Sequence, residues 1–338
     1  MSKKVLLTGG TGFIGSHTAV ELINEGFEVV IIDDLSNSNI EVLDRIEQIV
    51  GVKPLFEQVD VRNLESLQAV FAKYEFSSII HFAAKKAVGE SVEKPVLYYD
   101  VNVNGMLNLL KVMKEFQVPN VVFSSSCTVY GQPDKLPVTE STPFQPAESP
   151  YGNSKQIGEE ILQDTTKADP NLHAISLRYF NPVGAHESAL IGELPVGVPA
   201  NLIPFITQTA AGIRAQLKVF GGDYNTPDGS AVRDYIHVVD LAKAHVIALK
   251  RMENAAQKSN YEFFNIGTGT GSSVLQAINA FEESAGVKVN YLVVDRRAGD
   301  IEQIYADTTF ANDELGWKAE KGLKEMMSSA WKWQQTLH

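Results

Sequence analysis

Along the first 180 residues, short apolar runs alternate with longer stretches in which apolar positions recur every three or four residues. "KVLLTG" precedes a helical pattern from Phe13 to Glu25, "EVVIID" one near Ile40 to Val50, and "PLFEQVD" one from Leu64 to Tyr74. "SSIIHFAA", a long helical pattern around Pro95 to Phe116, and "NVVFSSS" complete the series. The short runs are apolar at successive positions, which predicts strands buried on both faces, as in a parallel sheet covered by helices. Alternation of this kind predicts the α/β class with a doubly wound sheet.

Past residue 180 the rhythm loosens. Pro182, Pro195, Pro199 and Pro204, with Gly184, Gly192 and Gly197, mark an irregular stretch. It is followed by a helical pattern near Asn201 to Ala215, a strand "LKVFG", and a helix from about Val238 to Met252. "YEFFNIGTG" and a helix from Val274 to Ala285 form a further strand–helix unit. The pattern predicts a smaller C-terminal α/β domain interleaved with the first. The first domain is expected over 1–180 plus roughly 236–265, and the second over roughly 181–235 and 266–338.

Composition narrows the partners. The chain has 338 residues and a net charge of −12, which argues against nucleic acid, whose phosphates require clustered Lys and Arg. No run of about 18 apolar residues is present, so no membrane span is expected. The apolar start "KVLLTGG" is too short for a signal-peptide core. Cys127, the only cysteine, excludes an intrachain disulfide and fits a reducing, cytoplasmic setting. It is expected to be a small buried residue rather than a nucleophile. The seven histidines show no ligand spacing, and no metal site is expected.

"LLTGGTGFIGS" places Gly9, Gly10, Gly12 and Gly15 between the first strand and the first helix. Glycines there let the backbone approach a pyrophosphate, which the unpaired N–H groups of the helix N-terminus then receive. The pattern predicts the turn of a Rossmann dinucleotide site; the alternative is a tight glycine turn with no ligand. Asp33 ends "VVIID" eighteen residues after Gly15, the spacing of a carboxylate that binds an adenosine ribose 2′-hydroxyl. A carboxylate there repels a 2′-phosphate, so NAD is expected rather than NADP. Asp60 closes the third apolar run, either at an adenine edge or as a helix N-cap.

"SPYGNSK" carries the candidate chemistry. Of eleven tyrosines only Tyr151 has a lysine four places on. Ser149 reads as an N-cap and Pro150 as the first helical residue, so Tyr151 and Lys155 share one face. A phenol working as a base near pH 7 needs its pKa lowered by roughly 3 units. A nearby ammonium and a helix N-terminus both act in that direction. The preceding strand ends in "FSSSCTVYG", at the carboxyl edge where such sheets bind ligands, which places Ser126 to share a substrate hydroxyl with Tyr151. Ser, Tyr and Lys beside a nicotinamide form a device for oxidising an alcohol; the alternative is an ordinary solvated helix face.

These motifs, with "DDLSNS", "HFAAKKAVGES", "RYFNPVGA" and "VRDYIHVVDLA" in this order, resemble the extended short-chain dehydrogenase/reductase family from Val5 to about Trp333. "KAVGES", "RYFNPVGAH" and "VRDYIHV" resemble its UDP-hexose 4-epimerase branch. The resemblance implies that Tyr151 is the base, that Lys155 holds the nicotinamide ribose and lowers the phenol's pKa, and that Ser126 bridges Tyr151 and sugar O4. It implies that Gly9, Gly12, Phe13, Ile14 and Gly15 line the pyrophosphate, and that Asp33, Asn37 and Ser38 surround the adenosine ribose. Asp60 and Val61 would lie at the adenine, Phe82, Ala83 and Lys86 along the middle of NAD, and Ser124, Tyr179 and Phe180 towards the nicotinamide. Arg233 and Arg297 would hold the UDP diphosphate, where bidentate arginines suit two phosphates. Asn181, Asn201, Leu202, Phe220 and Asp300 would complete the UDP-sugar site.

The resemblance also implies interconversion of UDP-galactose and UDP-glucose with retained NAD, and a homodimer packed through residues 95–116. Sugar-nucleotide dehydratases of the family carry an acidic pair after the serine, where this chain has Cys127, Thr128 and Val129. The position that excludes or admits N-acetylated sugars falls on Ile304, neither aromatic nor small, and leaves that substrate open. A non-catalytic NAD-binding sensor on the same fold is a further alternative, with no use for Tyr151, Lys155 and Ser126 together.

Overall fold

The computed structural model describes residues 4–296 and 301–337. Thirteen strands appear in chain order: β1 (Lys4–Thr8), β2 (Glu28–Asp33), β3 (Leu55–Gln58), β4 (Ser78–His81), β5 (Asn120–Ser126), β6 (His173–Tyr179), β7 (Asn181–Val183), β8 (Leu217–Phe220), β9 (Val232–His237), β10 (Tyr261–Ile266), β11 (Gly271–Ser273), β12 (Tyr291–Val294) and β13 (Gln303–Ile304). The helices are α1 (Phe13–Asn24), α2 (Val42–Val50), α3 (Leu64–Lys73), α4 (Val88–Glu93), α5 (Pro95–Tyr99), α6 (Gly105–Glu115), α7 (Pro150–Ala168), α8 (Leu202–Ala210), α9 (Val238–Glu253), α10 (Val274–Ala285) and α11 (Leu323–Gln335).

Seven strands form one parallel sheet in the order β10-β6-β5-β4-β1-β2-β3. The order reverses between β1 and β4, which opens a crevice at their carboxyl ends. Successive side chains of each strand enter opposite cores. Val5, Leu7, Ile31, Ile80, Val122 and Ile175 pack with α1 and α9, whereas Leu6, Val30, Ile32, Ile79, Val121 and Phe123 pack with α3, α6 and α7. Burial on both faces explains the unbroken apolar runs.

β11, β9, β13 and β7 make a second sheet, and β8 pairs with β12 in a third. A separate apolar cluster, including Ile203, Ile206, Val219, Ile278, Phe281 and Met327, holds α8, α10 and α11 around them. A fourth joins Cys127, Val129, Tyr130, Phe180 and Ile304, so it ties the end of β5 to β13. Among the described residues no helix is long and apolar enough to cross a membrane.

The long helix expected over residues 95–116 runs continuously from α5 to α6, with one π-turn at Asp100–Asn104 between them. Asn102 in that turn is a buried polar residue. Its side chain accepts from the Lys85 N–H (2.8 Å) and donates to the Lys85 carbonyl (3.0 Å) and the Ser154 hydroxyl (2.9 Å). It therefore joins the loop after β4 to α7.

Candidate active site

The turn after β1 fits only glycine where it is tightest. Gly9 has φ +70°, and a Cβ there would lie 2.7 Å from the Ala83 nitrogen; one on Gly15 would lie 2.5 Å from the Gly9 oxygen. Gly12 is the N-cap of α1, with no side-chain cap and no acidic residue in the first turn. The N–H groups of the turn formed by Phe13, Ile14 and Gly15 are thus left to an anion, in the positive field of the helix end.

Asp33 is buried at the end of β2. Its carboxylate accepts from the Thr11 N–H (3.2 Å), the Leu35 N–H (2.9 Å) and the Ser38 hydroxyl (3.0 Å). The Ser38 and Thr11 hydroxyls are 2.7 Å apart, while Asn37 is exposed beside them. Asp33 and Ser38 are therefore locked to the glycine turn. Thr11, which locks them, was not singled out from the sequence, although its place inside the turn was the available signal. A bare anion-binding turn with a fixed carboxylate next to it fits a dinucleotide carrying a free ribose hydroxyl.

Asp60 follows β3 and is not the cap of α3. Asn63 is that cap, accepting from the Ser66 N–H at 3.0 Å. Asp60 instead pairs with the Arg62 guanidinium (3.0 and 2.6 Å), whose hydrogen bonds hold its carboxyl below the usual range. Val61 is buried beside it, against Gly105 of α6. Beyond β4, the Phe82 N–H donates to the Thr8 carbonyl (3.0 Å) and the Ala83 N–H to the Thr8 hydroxyl (3.2 Å), so both residues flank the glycine turn. The Phe82 ring stands 4.7 Å from the buried His245 ring, which is 5.7 Å from that of Tyr179.

Lys86 reaches Glu193 at 3.1 Å, and the same Glu193 oxygen accepts from the Asn201 side chain at 2.6 Å. Glu193 thus joins a cofactor candidate to a substrate candidate. It sits in the irregular stretch after residue 180, where no periodicity marks it.

At the crevice floor, Ser149 caps α7 through the Gly152 N–H (3.2 Å) with Pro150 in the first turn, as expected. Ser126 ends β5 near the Tyr151 phenol, whose pKa it acts to lower. The Lys155 ammonium donates to the Ser124 carbonyl at 2.6 Å and lies 5.8 Å from the Tyr151 ring centroid. The Ser124 hydroxyl is hydrogen-bonded to the Tyr179 hydroxyl. Tyr179 and Phe180 are buried at the end of β6.

The electrostatics differ from the expectation of a lowered phenol. Burial pushes Tyr151 up to about 12, opposed by the nearby Ser126 hydroxyl. Burial also pulls Lys155 down to about 7, opposed by the charge of Glu159. Both shifts have one cause, the low dielectric that disfavours each charged form.

The remaining candidates among the described residues lie on the outer sheets and at the start of α8. Asn181 opens β7, which pairs with β9; Arg233 on β9 stands opposite Ile304 of β13. One Arg233 N–H donates to the Val232 carbonyl at 2.9 Å. Ile304 is 2% exposed and clusters with Cys127 and Phe180, directly beyond Ser126. Burial raises the Cys127 thiol to about 12, as befits a packing residue. Asn201 and Leu202 start α8. Phe220 ends β8, beside a cavity of about 320 Å³ lined by Gly222, Asp223, Val293, Val294, Asp295 and Arg296. Arg297 and Asp300 lie outside the described residues.

Comparison with known proteins assigns this geometry. The family model described as GDP-mannose 4,6 dehydratase matches residues 6–330. A UDP-glucose 4-epimerase of Haemophilus influenzae is 53% identical over 331 residues, 98% of this chain and 97% of its own. The chain belongs to the UDP-glucose 4-epimerase family. The human member is 48% identical over 341 residues, 99% of this chain and 97% of its own. Among solved structures, the Bifidobacterium longum UDP-glucose 4-epimerase in complex with NAD+ and UDP superposes with a TM-score of 0.95 at 49% identity, covering 99% of this chain and 98% of that one. The Stenotrophomonas maltophila UDP-glucose-4-epimerase, with bound NAD and formylated UDP-arabinopyranose, gives 0.96 at 47% identity over the same shares. Within the broader dehydratase model, this UDP-glucose 4-epimerase family member has Cys127, Thr128 and Val129 where a dehydratase needs carboxylates.

Proposed function

We propose that the protein interconverts UDP-galactose and UDP-glucose by NAD-dependent inversion at C4. The observation that carries this reading is the convergence of Ser126, Tyr151 and Lys155, with the ammonium 5.8 Å from the Tyr151 ring centroid, at the carboxyl edge of a sheet whose first turn is built for a dinucleotide. When bound, NAD supplies a two-electron acceptor that takes hydride from sugar C4 and returns it to the other face. Tyr151 Oη receives the O4 proton, relayed through Ser126 Oγ, and gives it back after the 4-keto sugar has turned over.

Lys155 anchors the nicotinamide ribose and stabilises the phenolate. Gly9, Gly12, Phe13, Ile14 and Gly15 hold the pyrophosphate, Asp33, Asn37 and Ser38 the adenosine ribose, and Asp60 and Val61 the adenine. Phe82, Ala83, Lys86, Ser124, Tyr179 and Phe180 line the rest of NAD. Arg233 and Arg297 anchor the diphosphate, with Asn181, Asn201, Leu202, Phe220 and Asp300 around the nucleotide. Residues 1–180 with roughly 236–265 form the NAD-binding domain, and roughly 181–235 with 266–338 the UDP-sugar domain. The partner is a second copy packed through residues 95–116, and the setting is the cytoplasm.

The test is proton NMR of UDP-galactose with purified protein and no added cofactor. Growth of the UDP-glucose anomeric signal is expected and would establish turnover and retained NAD together. No signal, with or without added NAD, sinks the reading and leaves the NAD-binding sensor. Ile304 bears on substrate breadth, because its buried side chain borders Cys127 and Phe180 beyond Ser126. Ile304→Ala is expected to raise turnover of UDP-N-acetylgalactosamine relative to UDP-galactose by about 10-fold, the effect of a few methylenes in an apolar wall. An unchanged ratio would remove Ile304 from the pocket wall.

A further inference from the structure

A second polar constellation lies behind the serines of β5, and the mechanism above does not use it. Glu159 stands one turn beyond Lys155 on α7, so Tyr151, Lys155 and Glu159 form one stripe at i, i+4 and i+8. Glu159 is 3% exposed and Arg178 of β6 is 4% exposed. The Glu159 carboxylate accepts from Arg178 Nε (2.9 and 3.1 Å), Arg178 Nη2 (2.6 Å), the Tyr261 hydroxyl (3.1 Å) and the Ser125 hydroxyl. Arg178 also donates to the Tyr130 hydroxyl (3.1 Å), and its guanidinium lies 4.1 Å from the Phe263 ring centroid. Ser125 is the register partner of Arg178, between Ser124, whose carbonyl holds Lys155, and Ser126, which meets Tyr151.

A buried ion pair is weak evidence for a stabilising role, since packed apolar residues of similar volume serve as well or better. Its placement calls for another account. We propose that Glu159 is a positioning residue for the reaction, fixing α7 against the Ser124–Ser126 strand end and supplying the counter-charge one turn from Lys155.

The charges around Lys155 support this. Burial drives Lys155 towards the neutral amine, and Glu159 is the group that opposes it. His81 of β4 is kept neutral by burial and by Lys155 itself. Cys127 and Tyr130 in the turn after β5, Tyr179 of β6 and Tyr261 of β10 are all raised by burial and stay neutral. On α4 and α5, Glu90 is paired with Lys94 and with Tyr98, whose own phenol is raised; Tyr99 bonds Asn153, and Asp100 of the π-turn pairs with Arg62. Neutralising Glu159 therefore removes the counter-charge of Lys155 and leaves the Arg178 cation unbalanced nearby.

The proposal rests on the epimerase reading, but its test does not depend on turnover alone. Lysine labelled with carbon-13 at Cε, with Lys155 assigned by K155M, reports the titration of that amine directly. In E159Q it is expected to titrate about one pH unit lower than in wild type. The kcat for UDP-galactose at pH 8.5 should fall by about 10-fold with KM changed less than about 2-fold, and the alkaline limb of kcat against pH should move down with the amine. The double variant E159M/R178M removes both charges without stranding a buried ion, and it decides the matter should E159Q fail to fold. Its Lys155 should also titrate below wild type. Titration at the wild-type pH in the folded variants overturns the proposal. Absence of wild-type turnover would fail the epimerase reading while leaving this titration to judge Glu159.

Discussion

Replacing Tyr151 by phenylalanine is expected to lower kcat for UDP-galactose by about 10²- to 10⁴-fold, the usual share of a positioned general acid–base group. That range corresponds to about 3–5 kcal/mol of transition-state stabilisation. The ring is half-buried at the first turn of α7, and phenylalanine keeps its shape, so KM and the unfolding midpoint should stay near wild type. Only the hydroxyl is lost. The structure explains why the loss should be large. In the protein alone burial holds this phenol near 12, at which about one molecule in 10⁵ is ionised at pH 7. Lys155 and the positive charge of oxidised NAD have that gap to close, and neither can act through a phenyl ring. Steady-state kinetics with UDP-galactose checks this; near wild-type kcat in a folded Tyr151→Phe protein would remove Tyr151 from the proton path.

What could be read from the chain divides by range of interaction. Strands β1, β2, β4 and β5 were legible because a sheet covered on both faces forces apolar residues at successive positions, whereas β6, with Ser176 and Arg178 inside it, was not singled out. Helix starts were legible where a cap is local, as with Ser149 and Pro150 for α7. Asp60 shows the limit of that logic. Asp and Asn three residues apart, at Asp60 and Asn63, are equivalent caps by type, and Arg62 drew Asp60 into an ion pair instead. The π-turn at Asp100–Asn104 was hidden because an apolar pattern fixes the face of a helix but not where an extra residue enters. The direction of the Tyr151 shift was also hidden, since motif spacing says which charges are near but not how deeply a group is buried. Glu159 and Arg178 were visible as charges inside apolar segments, yet their pairing spans nineteen residues and two elements, and no local pattern joins them.

Acid should destabilise this protein earlier than its carboxylates alone would predict. His17, His81 and His237 are held near 3 and His245 near 4, in each case chiefly by burial, against 6.5 for a free side chain. Between pH 6.5 and about 4 the unfolded chain binds protons at these positions and the folded protein does not, so stability falls as pH falls through that window. Each histidine accounts for about 1.4 kcal/mol per pH unit, hence about 2 kcal/mol by pH 5, and four give on the order of 8 kcal/mol. Glu21, Glu140 and Asp234, whose carboxyls are raised by burial, act in the opposite sense and reduce that sum. Even half of it is comparable to the whole stability of many domains. His17 and His245 are the sharpest cases, because each directs Nδ1 to a helix carbonyl, of Phe13 and Leu241, while Nε2 is buried without a partner among the described residues. Urea unfolding at pH 7.5, 6 and 5 is expected to show a midpoint that drops steeply between the last two. His17→Gln, which cannot titrate, should lose about 2 kcal/mol less from pH 7.5 to pH 5 than wild type does. A midpoint that is flat from pH 7.5 to 5 would mean that these imidazoles take up protons in the folded state, and that α1 and α9 separate enough to admit the charge.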